Sequence, residues 1–316
     1  MESIFDSGRR EARFFTVLAA ALVLIRSAAF LLYGYIDFDS DQAIAGLMAK
    51  HLSEFRTFPL FYYGQNYLLG VQSWVIAPLF WIARPSIALQ KAPMTIVNVV
   101  AAVLLVRLIT SNLRLRPAVA FLAALPFIVP APLVVSSFLQ GVEPLLYVLI
   151  LWMLRGRPFA FGALLAFGFV HREFTLYALP ALALVELADG SLWAANTVRR
   201  AAQGAGGFAL VWLVIDDAKM HLMGNSLSLE TQELGQRLCL DGLSPFYRVR
   251  YIFTEIWPVL VGGIQMPLDH YGIRSSAVVG STIVGWTAGG AMLLILVRLA
   301  WLWRLRRREP SIGFAV

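Results

Sequence analysis

Long apolar blocks alternate with short polar gaps along this chain, and arginine fills most of the gaps. The blocks fall at about 14–36, 88–108, 118–137, 138–154, 159–170 paired with 174–189, 203–222 and 277–303. One helical crossing of a bilayer takes about 20 apolar residues, and none of these blocks shows the two-residue alternation of a half-buried strand. The pattern predicts helices. Arginines cluster between the blocks as Arg9/Arg10/Arg13, Arg107/Arg114/Arg116, Arg155/Arg157, Arg199/Arg200 and Arg304/Arg306/Arg307/Arg308. Cytoplasmic loops of membrane proteins carry such an excess. Placing all of these clusters inside predicts about eight crossings with both termini in the cytoplasm. The block at 68–83 then lies along the outer interface without crossing, and 159–189 goes out and returns as two short helices broken at His171-Arg172-Glu173. A topology in which 68–83 spans would put Arg107, Arg114 and Arg116 outside.

Composition supports the membrane reading. Of 316 residues 59% are hydrophobic and 14% charged, with a mean hydropathy of +0.71; soluble domains have about 45–50% apolar and about 25% charged residues. The net charge of +7 comes from basic residues scattered between apolar blocks, which is a topology signal and not the basic, aromatic-interleaved surface of a nucleic-acid binder. The single cysteine, Cys239, excludes an intramolecular disulfide. The first block follows Arg9, Arg10 and Arg13 and runs to about residue 36, longer than the roughly 7–15 residues of a signal-peptide core, so it reads as a retained helix. No linker or repeat divides the chain. The expected architecture is all-α, a single polytopic domain over 1–316 with outer loops at about 37–87 and 223–276.

On this topology the acidic residues gather on the outer side. Asp37, Asp39 and Asp41 stand just past the first block. From Asp39 or Ser40 onward Ile44, Leu47, Met48, Leu52 and Phe55 recur at helical spacing, predicting an amphipathic helix lying in the interface. Asp39 with Gln42 fits a capping box, and Asp41 in the first turn suits the helix dipole. One cap needs one carboxylate, whereas three crowded together repel one another. Their clustering therefore points to a site.

The order of first helix, acidic exit, interfacial helix, Phe58-Pro59-Leu60-Phe61-Tyr62-Tyr63-Gly64-Gln65-Asn66-Tyr67 and second interfacial block resembles the bacterial GT-C membrane glycosyltransferases. That group includes the lipid A aminoarabinose transferases and protein O-mannosyltransferases, which use polyprenyl-phosphate sugars. The resemblance covers roughly residues 14–220 and is most specific over 37–83. It implies a catalytic acid just past the first helix, which maps onto Asp41 of the Asp41-Gln42 pair, with Asp39 and Asp37 in support. It also implies that the broken segment presents a basic residue to the lipid phosphate, which maps onto Arg172. Two departures stand out: Gln42 replaces the second acid of the pair, and Gln65 stands where another acid is expected near Tyr63 to Tyr67.

The expected function is transfer of a sugar from a lipid-linked donor on the outer face of a bacterial inner membrane. Inverting transfer requires a base for the acceptor hydroxyl and positive charge for the departing phosphate. Asp41 is the expected base. Arg172, Lys91, Arg84 and Lys50 are candidates for the phosphate, although Lys91 and Arg84 also fit interfacial snorkelling. Tyr62, Tyr63, Gln65 and Tyr67 could line a sugar site or belong to an interfacial aromatic belt. His171, Glu173 and the intramembrane Glu143 complete the candidate set. A divalent cation is left open, with Asp216, Asp217 and His221 as a second place for one; membrane lipids are expected partners and nucleic acid is not. The alternatives are a non-catalytic relative that binds or translocates polyprenyl phosphate, and a structural subunit of a membrane complex.

Overall fold

The computed structural model describes residues 2–35, 38–112, 115–130, 135–136, 138–141, 144–188 and 195–223. The outer loop expected at 223–276, the crossing expected at 277–303 and the last arginine cluster lie outside the described residues, as do Asp37, Arg114 and Glu143. All described residues except Pro130 fall in one compact unit. Helix accounts for 81% of what is described. Among the described residues two helices are long and apolar enough to cross a membrane: α1 over Arg10–Leu32 and α4 over Ile87–Asn112.

Helix α1 (Glu2–Leu32) differs from the expected 14–36 at both ends. It runs back through Arg9, Arg10 and Arg13, because a helix that has left the apolar layer continues in water when its residues are good helix formers. It stops at Leu32 because Gly34 passes the start of α4 closely, where an added Cβ would meet Ile87 Cγ2 at 3.0 Å. Lys91 Nζ donates to the Gly34 carbonyl at 3.1 Å, satisfying an acceptor just past the helix end.

Helix α2 (Ser40–Ser53) and helix α3 (Val71–Ile82) flank a two-stranded antiparallel hairpin, β1 (Phe61–Tyr62) and β2 (Gln65–Leu69). Tyr63 and Gly64 form its turn, with Gly64 at φ 79°, the left-handed region that glycine enters at no steric cost. The hairpin pairs Phe61 with Leu69 and Tyr62 with Gln65. The indoles of α3 seal the assembly: Trp74 Nε1 donates to the Pro59 carbonyl at 2.8 Å and Trp81 Nε1 to the Ser53 carbonyl at 2.7 Å. At 12 residues, α3 is about 18 Å long at 1.5 Å per residue, short of a full crossing.

Helix α2 has a protein-facing side distinct from most of the expected stripe, with Met48 common to both. Its buried face is Gln42, Ala45, Met48 and Ala49, whereas Leu47 and Phe55 of the expected stripe are exposed. The face is narrow and rich in small residues because α2 packs directly on α3, with Ser73 Oγ donating to the Ala45 carbonyl at 3.1 Å.

Beyond α4 the helices are short: α5 (Pro117–Ile128), α6 (Pro144–Leu154), α7 (Pro158–His171) and, after a 3-10 turn over Glu173–Tyr177, α8 (Ala178–Ala188). Helix α5 has 12 residues and α6 has 11, so neither covers the full block at 118–137 or 138–154. Helix α9 (Ala195–Met223) is longer than the expected 203–222 because it already includes Arg199 and Arg200. Helices α1, α4 and α5 share one core in which Ala19, Ala101, Ala102 and Ala120 are fully buried, the small-residue packing that lets apolar helices approach closely. Helices α7 and α9 cross still more tightly: a Cβ on Gly162 would sit 1.8 Å from the Gly204 carbonyl oxygen, and one on Gly207 2.1 Å from that of Phe159.

Candidate functional site

The two described acids at the start of the first loop have different environments. Asp39 is the N-cap of α2, with extended backbone and Oδ1 accepting the Gln42 N–H at 2.9 Å. Its Oδ2 accepts Gln140 Nε2 at 3.4 Å. Asp41, in the first helical turn, is exposed, and among the described residues its carboxylate has no hydrogen-bond partner. Its backbone carbonyl accepts the Tyr62 hydroxyl. Gln42 is buried, and its carbonyl accepts Gln90 Nε2 at 2.6 Å. Capping and hairpin packing together fix where the Asp41 side chain starts while leaving its charge unengaged.

Arg172 occupies the break between α7 and the 3-10 turn. Its backbone is extended, at φ −149° and ψ 104°. The corner is locked by Arg172 N–H donating to the Gly168 carbonyl at 2.6 Å, Thr175 N–H donating to the Arg172 carbonyl at 2.9 Å, and Thr175 Oγ1 donating to the Gly168 carbonyl at 3.1 Å. From there the guanidinium reaches Gly141, where an added Cβ would meet Arg172 Nη2 at 2.8 Å and Gln72 Oε1 at 2.6 Å. Gln72, on α3, is 4% exposed, and its Oε1 has no hydrogen-bond partner among the described residues. The arginine likewise makes no ion pair or side-chain hydrogen bond among them. A buried amide oxygen left without a partner among the described residues, beside a guanidinium, is uncommon and makes this corner the candidate site.

Tyr62 joins the two halves. Burial pushes its hydroxyl up to about 12; the Asp41 charge adds to this, the Ala45 backbone hydrogen bond and the Arg172 charge oppose it, and Asp39 adds a little more. The hydroxyl therefore stays protonated at physiological pH and serves as a fixed donor. The charges of Asp41, Arg172 and Asp39 all act on this phenol, and Gln140, bonded to Asp39, is followed by the Gly141 that Arg172 reaches.

The other candidates lie in varied surroundings. His171 is 1% exposed and its Nδ1 is 2.8 Å from the Tyr147 hydroxyl, an arrangement that holds the corner beneath Arg172. Glu173 is half-buried in the first turn of the 3-10 segment. Tyr63 is bound by His51 Nδ1 and Thr57 Oγ1, each at 3.0 Å. Gln65 lies opposite Tyr62, and Tyr67 falls within β2. Lys91 does not snorkel: it is 2% exposed, bonded to the Gly34 carbonyl and 6.0 Å from the ring centroids of Phe30 and Phe38. Arg84 and Lys50 are exposed, Lys50 lying 3.8 Å from Glu54. Of the second acidic group, Asp217 and His221 pair at 3.5 Å on an exposed face. Among the described residues no cluster of three or more His, Cys, Asp or Glu could hold a metal.

Sequence reasoning missed several polar groups inside apolar blocks. Gln72 and Gln140 stand at the candidate site, together with Gly141, which is small and not polar. Arg26, in the C-terminal third of α1, donates to Asn98 Oδ1 at 3.2 Å and to the Phe127 carbonyl, and lies over the rings of Phe127 and Phe138. Lys219 is 3% exposed with its Nζ over the Phe61 ring. An ionisable residue within an apolar run was the available signal. Comparison with family models, curated proteins and solved structures finds no match to this chain.

Proposed function

We propose that this chain is a multi-pass membrane glycosyltransferase that moves a sugar from a polyprenyl-phosphate donor to an acceptor hydroxyl. The reading places it in a bacterial inner membrane with the 37–87 loop outside. What supports it is that Asp41 and Arg172, whose charged groups have no ion pair among the described residues, both act on the Tyr62 hydroxyl, which donates to the Asp41 backbone carbonyl.

The two charges suit the two ends of one displacement. Asp41 takes the proton of the acceptor hydroxyl as its oxygen attacks the anomeric carbon. The bond from that carbon to the phosphate oxygen breaks with inversion, and its electron pair leaves on the lipid phosphate. Arg172 stabilises that charge, its planar fork suiting phosphate better than an ammonium would. Gln72 can turn either end of its amide to the ligand. Asp39, already accepting two hydrogen bonds, positions the start of α2 and does not act as the base.

Comparative mass spectrometry of glycolipids and glycans from cells with and without the protein tests the reading. Loss of one glycosylated product is expected. An unchanged profile, together with polyprenyl-phosphate binding by the purified protein, would favour a binding or translocating role on the same scaffold.

A further inference from the structure

A second site lies away from this cluster. A cavity of about 630 Å³ opens between α7, α8 and α9, and neither Asp41 nor Arg172 lines it. Its walls are Phe161, Leu165, Leu176, Leu182 and Phe208, and its polar residues gather towards one end, at Arg155, Glu186 and Arg200. The tight glycine crossing of α7 on α9 closes its floor, since Gly162 and Gly204 both line it. The volume falls within the roughly 300–1,000 Å³ of ligand sites.

Charge at the mouth selects the occupant. Glu186 is matched by Arg200 at 3.1 Å, and Arg200 also donates to the Arg155 carbonyl at 2.8 Å. The Arg155 guanidinium lies 4.5 Å from the Trp152 ring centroid and has no ion pair among the described residues. Exposed Arg157 and Arg199 add positive charge nearby. An apolar slot with a surplus cation at its rim fits an amphiphile with a long chain and an anionic head.

We propose that this cavity binds an anionic phospholipid, with one acyl chain between α7, α8 and α9 and its phosphate on Arg155. The site rests on the multi-pass membrane reading but not on the transferase chemistry.

The test uses the full chain in nanodiscs containing phosphatidylglycerol with a photoactivatable acyl chain, with adducts mapped by peptide mass spectrometry. Adducts should concentrate on the cavity-lining segments of α8 and α9, with unlabelled phosphatidylglycerol competing better than phosphatidylcholine. Arg155→Gln should erase about fivefold of that preference, the share of one arginine near a charged surface. Ala201→Phe, or Ala183→Phe from the opposite wall, should remove the cavity adducts while labelling persists at exposed Ile96 and Val100 of α4. Equal competition by phosphatidylcholine, or labelled α4 with an unlabelled cavity, overturns the proposal. Absence of labelling at α4 as well would remove the membrane reading and the proposal with it.

Discussion

Gln140 donates its side-chain amide to Asp39 Oδ2 at 3.4 Å across 101 residues of sequence. The same carboxylate caps α2 through the Gln42 N–H, and the next residue after Gln140 is Gly141, against which Arg172 and Gln72 pack. Asp39 thus ties the start of the helix that carries Asp41 to the segment against which Arg172 packs.

Asp39→Ala should therefore cost stability before it costs chemistry. Loss of an N-cap typically removes about 1 kcal/mol, and the long bond to Gln140 adds little. Thermal unfolding of the purified protein should show the loss, while turnover per folded molecule falls less than in Asp41 variants. A collapse of turnover with unchanged stability would reverse the two roles.

Gly141→Ala probes the ligand end. The new methyl would meet the tips of Gln72 and Arg172, not backbone, so both side chains can yield and the fold should survive. The displaced guanidinium should weaken binding of polyprenyl phosphate, measured by calorimetry or competition, by about tenfold if one charge-assisted contact of roughly 1.5 kcal/mol is lost. Unchanged affinity would remove Arg172 from the donor site.

Much of the fold was legible in the sequence, for identifiable reasons. The apolar runs of α1 and α4 are long enough to declare themselves, Asp39 sits where a cap must, and polar His171-Arg172-Glu173 interrupts an apolar stretch where the structure turns. The buried face of α2 was less legible because it faces protein: small Ala45 and Ala49 carry it, not the bulky Leu47 and Phe55 that dominate the hydrophobic pattern. Gln72 and Gly141 were illegible for another reason. Neither has a spacing signature, and their relevance arises only when α3, the Gly141 segment and the α7 corner converge.

Tyr62 gives a pH signature. Its folded value, about 12, lies above the ordinary 10. Its contribution is fully present below pH 10 and is lost as the pH rises through 12, because the unfolded phenol ionises first. Two units correspond to roughly 3 kcal/mol. Unfolding followed between pH 9 and 12 should show this decline in the wild type and a smaller one in Tyr62→Phe. Identical profiles would mean that the phenol is not held as described.

Gly162→Ala should be far more damaging than Gly206→Ala, although both lie in helices. The first Cβ would stand 1.8 Å from a backbone carbonyl of α9, which cannot move aside cheaply, whereas the second meets nothing within 4 Å. Overpacking costs about 1–3 kcal/mol or more, and differential scanning fluorimetry in detergent would register it. Equal melting temperatures would contradict the tight α7–α9 crossing.

The most direct test of the central claim is sugar transfer by purified wild type and Asp41→Asn, using polyprenyl-phosphate donors in nanodiscs. Asparagine keeps the side-chain shape at the start of α2 but cannot take a proton, and a general base is worth about 10²–10⁴-fold in rate. The account predicts a loss of that order, with melting temperature and donor binding close to wild type. Full transfer by Asp41→Asn would contradict it.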